Sequence, residues 1–543
     1  MQELIEQTKK LTINKKVVYI SLFLLCLLSY SWKIIHGFDI DEQYAVSMMW
    51  RFSIGDRYLI DLFDPYQFSA FLMYPLWSLS ELLFQNPLLG YRIICVFITA
   101  LLSGYVFYEC FRYSHSIDVS FLLAVVWFTA LPKSIVSIEH SRLLYIFLSF
   151  LLINVCHWSI HKDRQVFIGL CLAVISLCYP TMILLSFLLL ALFLYKKDYS
   201  GIIKIIIVCF SVLLFLVIPV YRLVGGEGIV NSIRVVLMDG SHDASTFDLL
   251  GKTVHELLLL LIYFIKIGLC FFAYKIFMLL PWIKKYNKYS ETLVLVSIPF
   301  LLIIMQLFLQ RLFPLYDYTR YLMILIIIFV FVFHAKNEPL LYSGIILAFV
   351  FLISYFSSNN GFLSASGNIM MSVFLAAYYF YKKKTIRECM IFLSIVLASQ
   401  CATMVLSARL TGSAGDSVFS SNLVQNKTYL SGIWVESNTE SIMNTVESIN
   451  QNLNGKNVLL CGRDVYTYTL LNANVYAPVT TGTPVYDEQW NWYFNNCCKD
   501  DVDLIVENDD VDQERLMGLL REYYSFEQVP IDSTITLFHL IRK

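Results

Sequence analysis

Asp39, Asp41 and Glu42 place three carboxylates in four positions of Gly37-Phe38-Asp39-Ile40-Asp41-Glu42-Gln43-Tyr44-Ala45, and the stretch runs on to Asp56, Asp61 and Asp64. Carboxylates crowded where an apolar run ends are electrostatically costly unless something uses or solvates them. Gln43–Phe52 has the spacing of a short amphipathic helix with Tyr44, Met48 and Phe52 on one side. Asp39 and Asp41 would then lie at its N-terminus, where the helix dipole favours the ionised form. An ionised carboxylate is what a general base needs to take a proton from a hydroxyl. The plain alternative is a solvated acidic loop with a helix cap.

Two further clusters carry chemistry-bearing side chains. Lys133 and Glu139-His140-Ser141-Arg142, with Tyr145, could hold a phosphate through Arg142 and Lys133 while Glu139 assists an acceptor; the alternative is an interfacial salt bridge with anchoring basic residues. His140 alone is no metal ligand. Arg311 and Asp317-Tyr318-Thr319-Arg320-Tyr321 put Arg320 at a lipid–water boundary, able to hold a lipid phosphate or simply to snorkel beside an aromatic belt.

The elements that must position these groups are membrane helices. The 543 residues are 58% hydrophobic and 15% charged, with a mean hydropathy of +0.64, which excludes an ordinary soluble enzyme and a disordered chain. Apolar runs of about 20 residues read as bilayer-spanning helices. They fall near 17–35, 91–110, 117–136, 141–157, 165–179, 180–195, 202–221, 254–280, 291–310, 320–334, 340–356, 367–381 and 388–407. A polytopic α-helical membrane protein of about 13 transmembrane helices is expected over 1–410, its first outer loop being 36–90. The segment 69–86, interrupted by Pro75, Ser78, Ser80 and Glu81, reads as an interfacial or re-entrant helix. Tyr179-Pro180-Thr181 reads as a turn between two short spans.

Lys9, Lys10, Lys15 and Lys16 precede the first span and put the N-terminus in the cytoplasm. An odd number of spans then places the chain's end outside. Loops assigned to the cytoplasm hold Arg112, then Lys162 and Arg164, then Lys196 and Lys197, and the three clusters above fall on the outer face. Localisation in the plasma or inner membrane, multi-pass, follows. Residues 411–543 carry 8 basic and 18 acidic residues, net −10, against +9 for the rest. They read as a soluble extracytoplasmic α/β domain with strands at 457–462, 502–506 and 535–540 and helices at 438–451 and 511–523. Trp490, Trp492 and Tyr493 could stack on a sugar ring, though a folded core explains them as well. Cysteines sit mostly inside apolar runs and have no zinc spacing. No basic patch laced with aromatics points to nucleic acid.

The motifs resemble GT-C membrane glycosyltransferases, including the protein O-mannosyltransferase and lipid A aminoarabinose transferase branches. Asp41-Glu42-Gln43-Tyr44-Ala45 is similar to the acidic signature of their first outer loop, and Asp64-Pro65-Tyr66-Gln67-Phe68-Ser69-Ala70 to a proline-containing stretch leading into a juxtamembrane helix. Ser141-Arg142-Leu143-Leu144 resembles their Arg-containing second outer loop, and Arg320-Tyr321-Leu322 a late Arg-Tyr-Leu element. Tyr66-Gln67 replaces the paired prolines or His-Pro of many members, and Glu139 stands where others have an aspartate.

The resemblance implies transfer of a hexosyl or pentosyl group, with inversion, from a polyprenyl-phosphate donor to an acceptor glycan, lipid or protein. Asp41 would be the base, and Asp39, Glu42 or Glu139 would position it. Arg142, Arg320 and Lys133 would hold the lipid phosphate, with Tyr44, Tyr66, Gln67, His140 and Tyr145 nearby. No cofactor or metal is predicted; Asp39, Asp41 and Glu139 would be the oxygen-rich place for a divalent cation, Mg or Mn. The competing classes are a transporter or lipid flippase, which would bury ionisable residues mid-span, and a surface-polysaccharide polymerase or ligase.

Overall fold

The computed structural model describes residues 13–133, 135–238, 249–279, 315–334, 338–357, 361–382, 386–406, 422–425, 430–435, 446–455, 457–461, 465–480, 487–497, 500–507, 513–531 and 535–543. Among the described residues, fifteen α-helices are followed in chain order by a small mixed sheet. They are α1 (Ile13–Ile34), α2 (Ile40–Ser53), α3 (Gln67–Leu83), α4 (Pro87–Ser114), α5 (Ile117–Thr129), α6 (His140–His161), α7 (Gln165–Cys178), α8 (Ile183–Tyr195), α9 (Tyr199–Val236), α10 (Leu249–Leu279), α11 (Leu315–His334), α12 (Glu338–Phe356), α13 (Phe362–Ala365), α14 (Ser372–Lys382) and α15 (Ile386–Leu406).

Among the described residues six helices are long and apolar enough to cross a membrane, namely α1, α4, α6, α9, α12 and α15. A seventh is completed if Phe362–Ile369 and Ser372–Phe380, bent by 61°, count as one. The chain is a multi-pass membrane protein, as expected, with six or seven full-length spans among the described residues. The expected span at 291–310 lies outside the described residues. The runs at 165–179 and 180–195 are α7 and α8, 14 and 13 residues long and broken at Tyr179-Pro180. At 1.5 Å per residue each covers only about 20 Å. The span expected at 117–136 stops at Thr129, because Pro132 cannot continue a helix. Nearly every α5 side chain is buried, so its apolar composition answers to protein neighbours and not to lipid.

α3 runs unbroken through Pro75 and packs between α2 and α4. α9 is one hydrogen-bonded run of 38 residues with a break at Gly225 (φ 69°, ψ −177°), a conformation glycine tolerates. Beyond the break, Ile229, Ser232 and Val235 turn a buried face toward the rest of the molecule.

The C-terminal part has a two-stranded ribbon, β1 (Asn422–Leu423) with β2 (Trp434–Val435). A five-stranded sheet follows, built from β3 (Asn457–Cys461), β4 (Asn474–Val475), β5 (Val502–Glu507), β6 (Tyr524–Pro530) and β7 (Ile535–Arg542) in the order β4-β3-β5-β7-β6. β4, β3 and β5 run parallel and β7 and β6 antiparallel to their neighbours, with Leu459 opposite Leu504 and Ile505 opposite Leu537. β3 reads Asn-Val-Leu-Leu-Cys, and its last four residues are buried, as a central strand covered on both faces requires. α16 (Asp487–Asn496) and α17 (Gln513–Tyr523) flank the sheet. Of the expected helix over 438–451, residues 446–452 are helical and the earlier ones lie outside the described residues.

Candidate active site

The first loop leaves α1 through Gly37 (φ 80°), and an arginine fastens it. Arg92, on the second turn of α4, donates to the Ile34 and Gly37 carbonyls at 2.6 and 2.5 Å and grips Glu42 through Nε and Nη2 at 2.9 and 2.5 Å. Ser137 also donates to Glu42. Glu42 is thus buried with both oxygens occupied. It anchors the loop that carries Asp41, as a positioning group and not a base, its carboxylate held by a guanidinium and a hydroxyl.

α2 begins at Ile40, three residues before the expected start at Gln43, so that Asp41 lies in its first turn. Asp39 is its N-cap, accepting from the Asp41 N–H at 3.0 Å. Burial, reinforced by the neighbouring charge of Asp41, pushes the Asp39 carboxyl up to about 6. The helix is not amphipathic against water. Glu42, Gln43, Val46, Met49, Met48 and Phe52 are all buried, because the C-terminal domain covers one side and α3 the other. Tyr44 is half-buried against the core.

Asp41 points out of this packing. Its side chain is 40% exposed, and Oδ2 lies 3.0 Å from the Lys133 Nζ. The same ammonium is 3.3 Å from His140 Nε2. Burial works against the Lys133 charge, but Asp41 and Glu139 outweigh it and hold the ammonium above the usual lysine range. Glu139 caps α6, accepting from the Ser141 and Arg142 N–H groups at 2.7 and 3.0 Å, and lies 2.8 Å from His140 Nδ1. Burial alone would raise its carboxyl; His140, Lys133 and the Ser141 N–H bring it down to about 2. Tyr66 stacks on His140 with ring centroids 4.3 Å apart, and Tyr179 closes the group at 5.6 Å from Tyr66.

Arg142 and Arg320 both reach the backbone that leads to Lys133. Both are buried. Arg142 donates to the Ala130 carbonyl at 2.8 Å and to the Tyr30 hydroxyl at 3.1 Å. Arg320 donates to the Pro132 and Leu131 carbonyls at 2.6 and 3.4 Å. Residues 130–133 form an extended strap after α5, and the two arginines bind three consecutive carbonyls of it, ending beside Lys133. Both converge on the site as the sequence suggested, and in this structure they grip the backbone that delivers Lys133. Tyr145 is likewise buried, stacked on Trp127 and donating to its carbonyl at 3.3 Å, and Gln67 accepts from the Leu59 N–H at 2.8 Å. Neither faces Asp41. Among the described residues no three His, Cys, Asp or Glu side chains converge in a metal-binding group; Lys133 stands between Asp41 and Glu139.

The sequence reading missed Arg92, whose only signal was a charge just inside an apolar run. It took Tyr179 as part of a turn and did not see it as a ring over the site. The acids Asp56, Asp61 and Asp64 serve the loop: Asp56 pairs with buried Arg51 at 2.6 Å, Asp61 with Arg57 at 2.7 Å, and Asp64 accepts from the Tyr66 N–H at 2.7 Å.

No protein-family model matches the chain, and no curated protein matches it. Among solved structures it is similar to the crystal structure of ArnT from Cupriavidus metallidurans bound to undecaprenyl phosphate. The identity is 12%, 97% of this chain and 98% of that chain are covered, and the TM-score is 0.48. At this identity the roles of residues must be read from this chain's own side chains.

Proposed function

We propose that the chain is an integral-membrane glycosyltransferase of the GT-C type, moving a sugar from a polyprenyl-phosphate donor to an acceptor hydroxyl at the outer membrane face. The single observation that carries this reading is the exposed Asp41 carboxylate set 3.0 Å from Lys133 at the end of a membrane bundle. A base and a cation side by side, over aromatic faces, meet the two needs of the reaction. Asp41 takes the proton of the acceptor hydroxyl as its oxygen attacks the anomeric carbon. The bond from that carbon to the phosphate oxygen breaks, its electron pair leaves with the lipid phosphate, and Lys133 stabilises the charge that develops there. One displacement inverts the anomeric centre. The Tyr66–His140 stack offers a face for a sugar ring, and Asp39 supports Asp41 through the helix cap.

A transporter would use ionisable groups in mid-span. Here Arg92, Glu42, Glu139, Arg142 and Arg320 gather at the Asp41 end, and Glu109 lies near the far end of α4, paired with Arg164 and Arg112 at 3.2 and 3.3 Å. Lys266 lies over the Tyr263 ring at 5.0 Å. The test is purified protein with a polyprenyl-phosphate sugar and candidate acceptors. New glycosidic product without sugar nucleotide supports the proposal. Vectorial movement of the lipid with no new bond overturns it in favour of a flippase.

A further inference from the structure

At the end of the bundle opposite Asp41 lies a cavity of about 130 Å³, lined from α4, α5, α6, α12 and α14. On α6 it reaches from Leu152 to Ile160, whereas His140 at the start of that helix belongs to the Asp41 cluster. At 1.5 Å per residue the cavity runs about 12 Å along the helix and its mouth lies about 30 Å from the cluster, the thickness of a bilayer's hydrocarbon core. Its walls are mostly apolar; of the polar groups that reach them, the Tyr113 hydroxyl is buried without a hydrogen-bond partner and others are engaged. Cys156 Sγ and Ser343 Oγ lie 3.1 Å apart, and Glu109 is held by Arg112 and Arg164. Such a cavity stays dry and accepts hydrocarbon; one of about this size, about 150 Å³, holds benzene. Left empty, it forfeits packing.

The mouth carries charge. Arg112 is 42% exposed, Lys162 is exposed in a left-handed turn (φ 53°), and Arg164 lies beside them. The acids facing them are Glu109 and Asp163, the latter 2.6 Å from His157. Cations at headgroup depth above a dry hydrocarbon slot describe the two halves of one molecule. We propose that the cavity takes a segment of one acyl chain of an anionic membrane phospholipid whose phosphate sits at Arg112 and Lys162. The headgroup cations favour this occupant over an isoprenoid tail arriving through the bilayer from the Asp41 side, which would bring no charge to the mouth. The inference does not depend on the transferase reading.

The test is native mass spectrometry of the full-length protein relipidated with phosphatidylglycerol, phosphatidylcholine or undecaprenyl phosphate. Wild type retains one phosphatidylglycerol through delipidation and releases phosphatidylcholine. Arg112→Gln, at the exposed mouth, weakens retention about tenfold, the worth of one charged hydrogen bond. Ala377→Phe, filling the slot, abolishes it, while Leu213→Phe on the exposed face of α9 leaves it unchanged. If Ala377→Phe does not fold, Arg112→Gln decides. Equal retention of phosphatidylcholine, preference for undecaprenyl phosphate, or retention unaffected by Arg112→Gln overturns the proposal.

Discussion

At the scale of single residues, Asp41 and Lys133 are the side chains on which transfer should depend directly. Asp41→Asn keeps the shape and removes the base; transfer should drop by at least about 10²-fold, with the protein still folded in the membrane, because a positioned base contributes about 10²–10⁴. Wild-type-like turnover would remove Asp41 from its role. Lys133→Met should cost about 10²-fold or more in kcat, the scale of losing one group that stabilises transition-state charge. Asp39 makes a prediction about pH. Its carboxyl is raised to about 6, so the native state binds more protons than the unfolded chain between the ordinary carboxylate range and about 6. Stability therefore falls as pH rises through that window, and the penalty is complete above it. Asp39→Asn keeps a capping side chain and should unfold at a higher temperature than wild type at pH 7.5, the difference vanishing near pH 4 in thermal melts.

At the scale of elements, the site is made by contacts between segments far apart in the chain. Arg92 of α4 joins α1, the Gly37 turn and α2 through one guanidinium, buried with its carboxylate partner. Removing one member strands the other charge, so Glu42→Gln should destabilise by about 3–5 kcal/mol, whereas replacing both with apolar residues should recover much of it; a double-mutant cycle in chemical denaturation measures this. The 130–132 strap makes a prediction that separates clamp from substrate ligand. If Arg320 holds only backbone, Arg320→Gln should lower stability by about 1–3 kcal/mol and reduce kcat as Lys133 shifts, leaving the donor KM nearly unchanged. A rise in KM at constant kcat and stability would instead return Arg320 to the phosphate. Part of this scale was legible in the sequence: the place of Asp39 at the N-terminus of α2 and the break at Pro180 rest on local backbone chemistry, whereas α2 starts three residues before the expected Gln43. The clamp was not legible, because an arginine near the start of an apolar helix looks the same in sequence whether its guanidinium meets a carbonyl or a phosphate.

At the scale of the whole molecule, the C-terminal domain is seated on the first loop. The Gly37 N–H donates to the Trp434 carbonyl at 2.9 Å and the Trp434 N–H to the Ile35 carbonyl at 2.8 Å, just past α1, while Phe63 donates to Pro478 at 2.8 Å, Ser47 to Val465 at 3.1 Å and Arg51 to Ala477 at 3.2 Å. Past the Gly225 break, α9 offers the Val235 carbonyl to Gln489 at 3.0 Å, while Ser232 donates to Leu59 at 2.6 Å. Trp490 and Tyr493 are buried, and Trp492 meets Phe63 edge-on at 5.3 Å, so the aromatic group serves the core and this seam. Truncation after residue 421 would expose the buried polar groups of α2. The expected outcome is loss of a monodisperse peak in size-exclusion chromatography, not an active shortened enzyme.

Composition, run length and charge determined that this is a multi-pass membrane chain with an acidic α/β end, because hydropathy and alternation are local properties that burial in any fold must respect. The acidic stretch after the first span was visible for the same reason. Only the tertiary structure decided which of those acids stays open. Glu42 and Asp41 are adjacent and chemically alike, but one meets Arg92 inside the protein and the other meets Lys133 at its surface. That choice is made by partners 50 and 92 positions away, and no local rule carries information over such distances. The surroundings of α5 were decided in the same way, since its buried apolar side chains meet neighbouring helices that a linear reading cannot see.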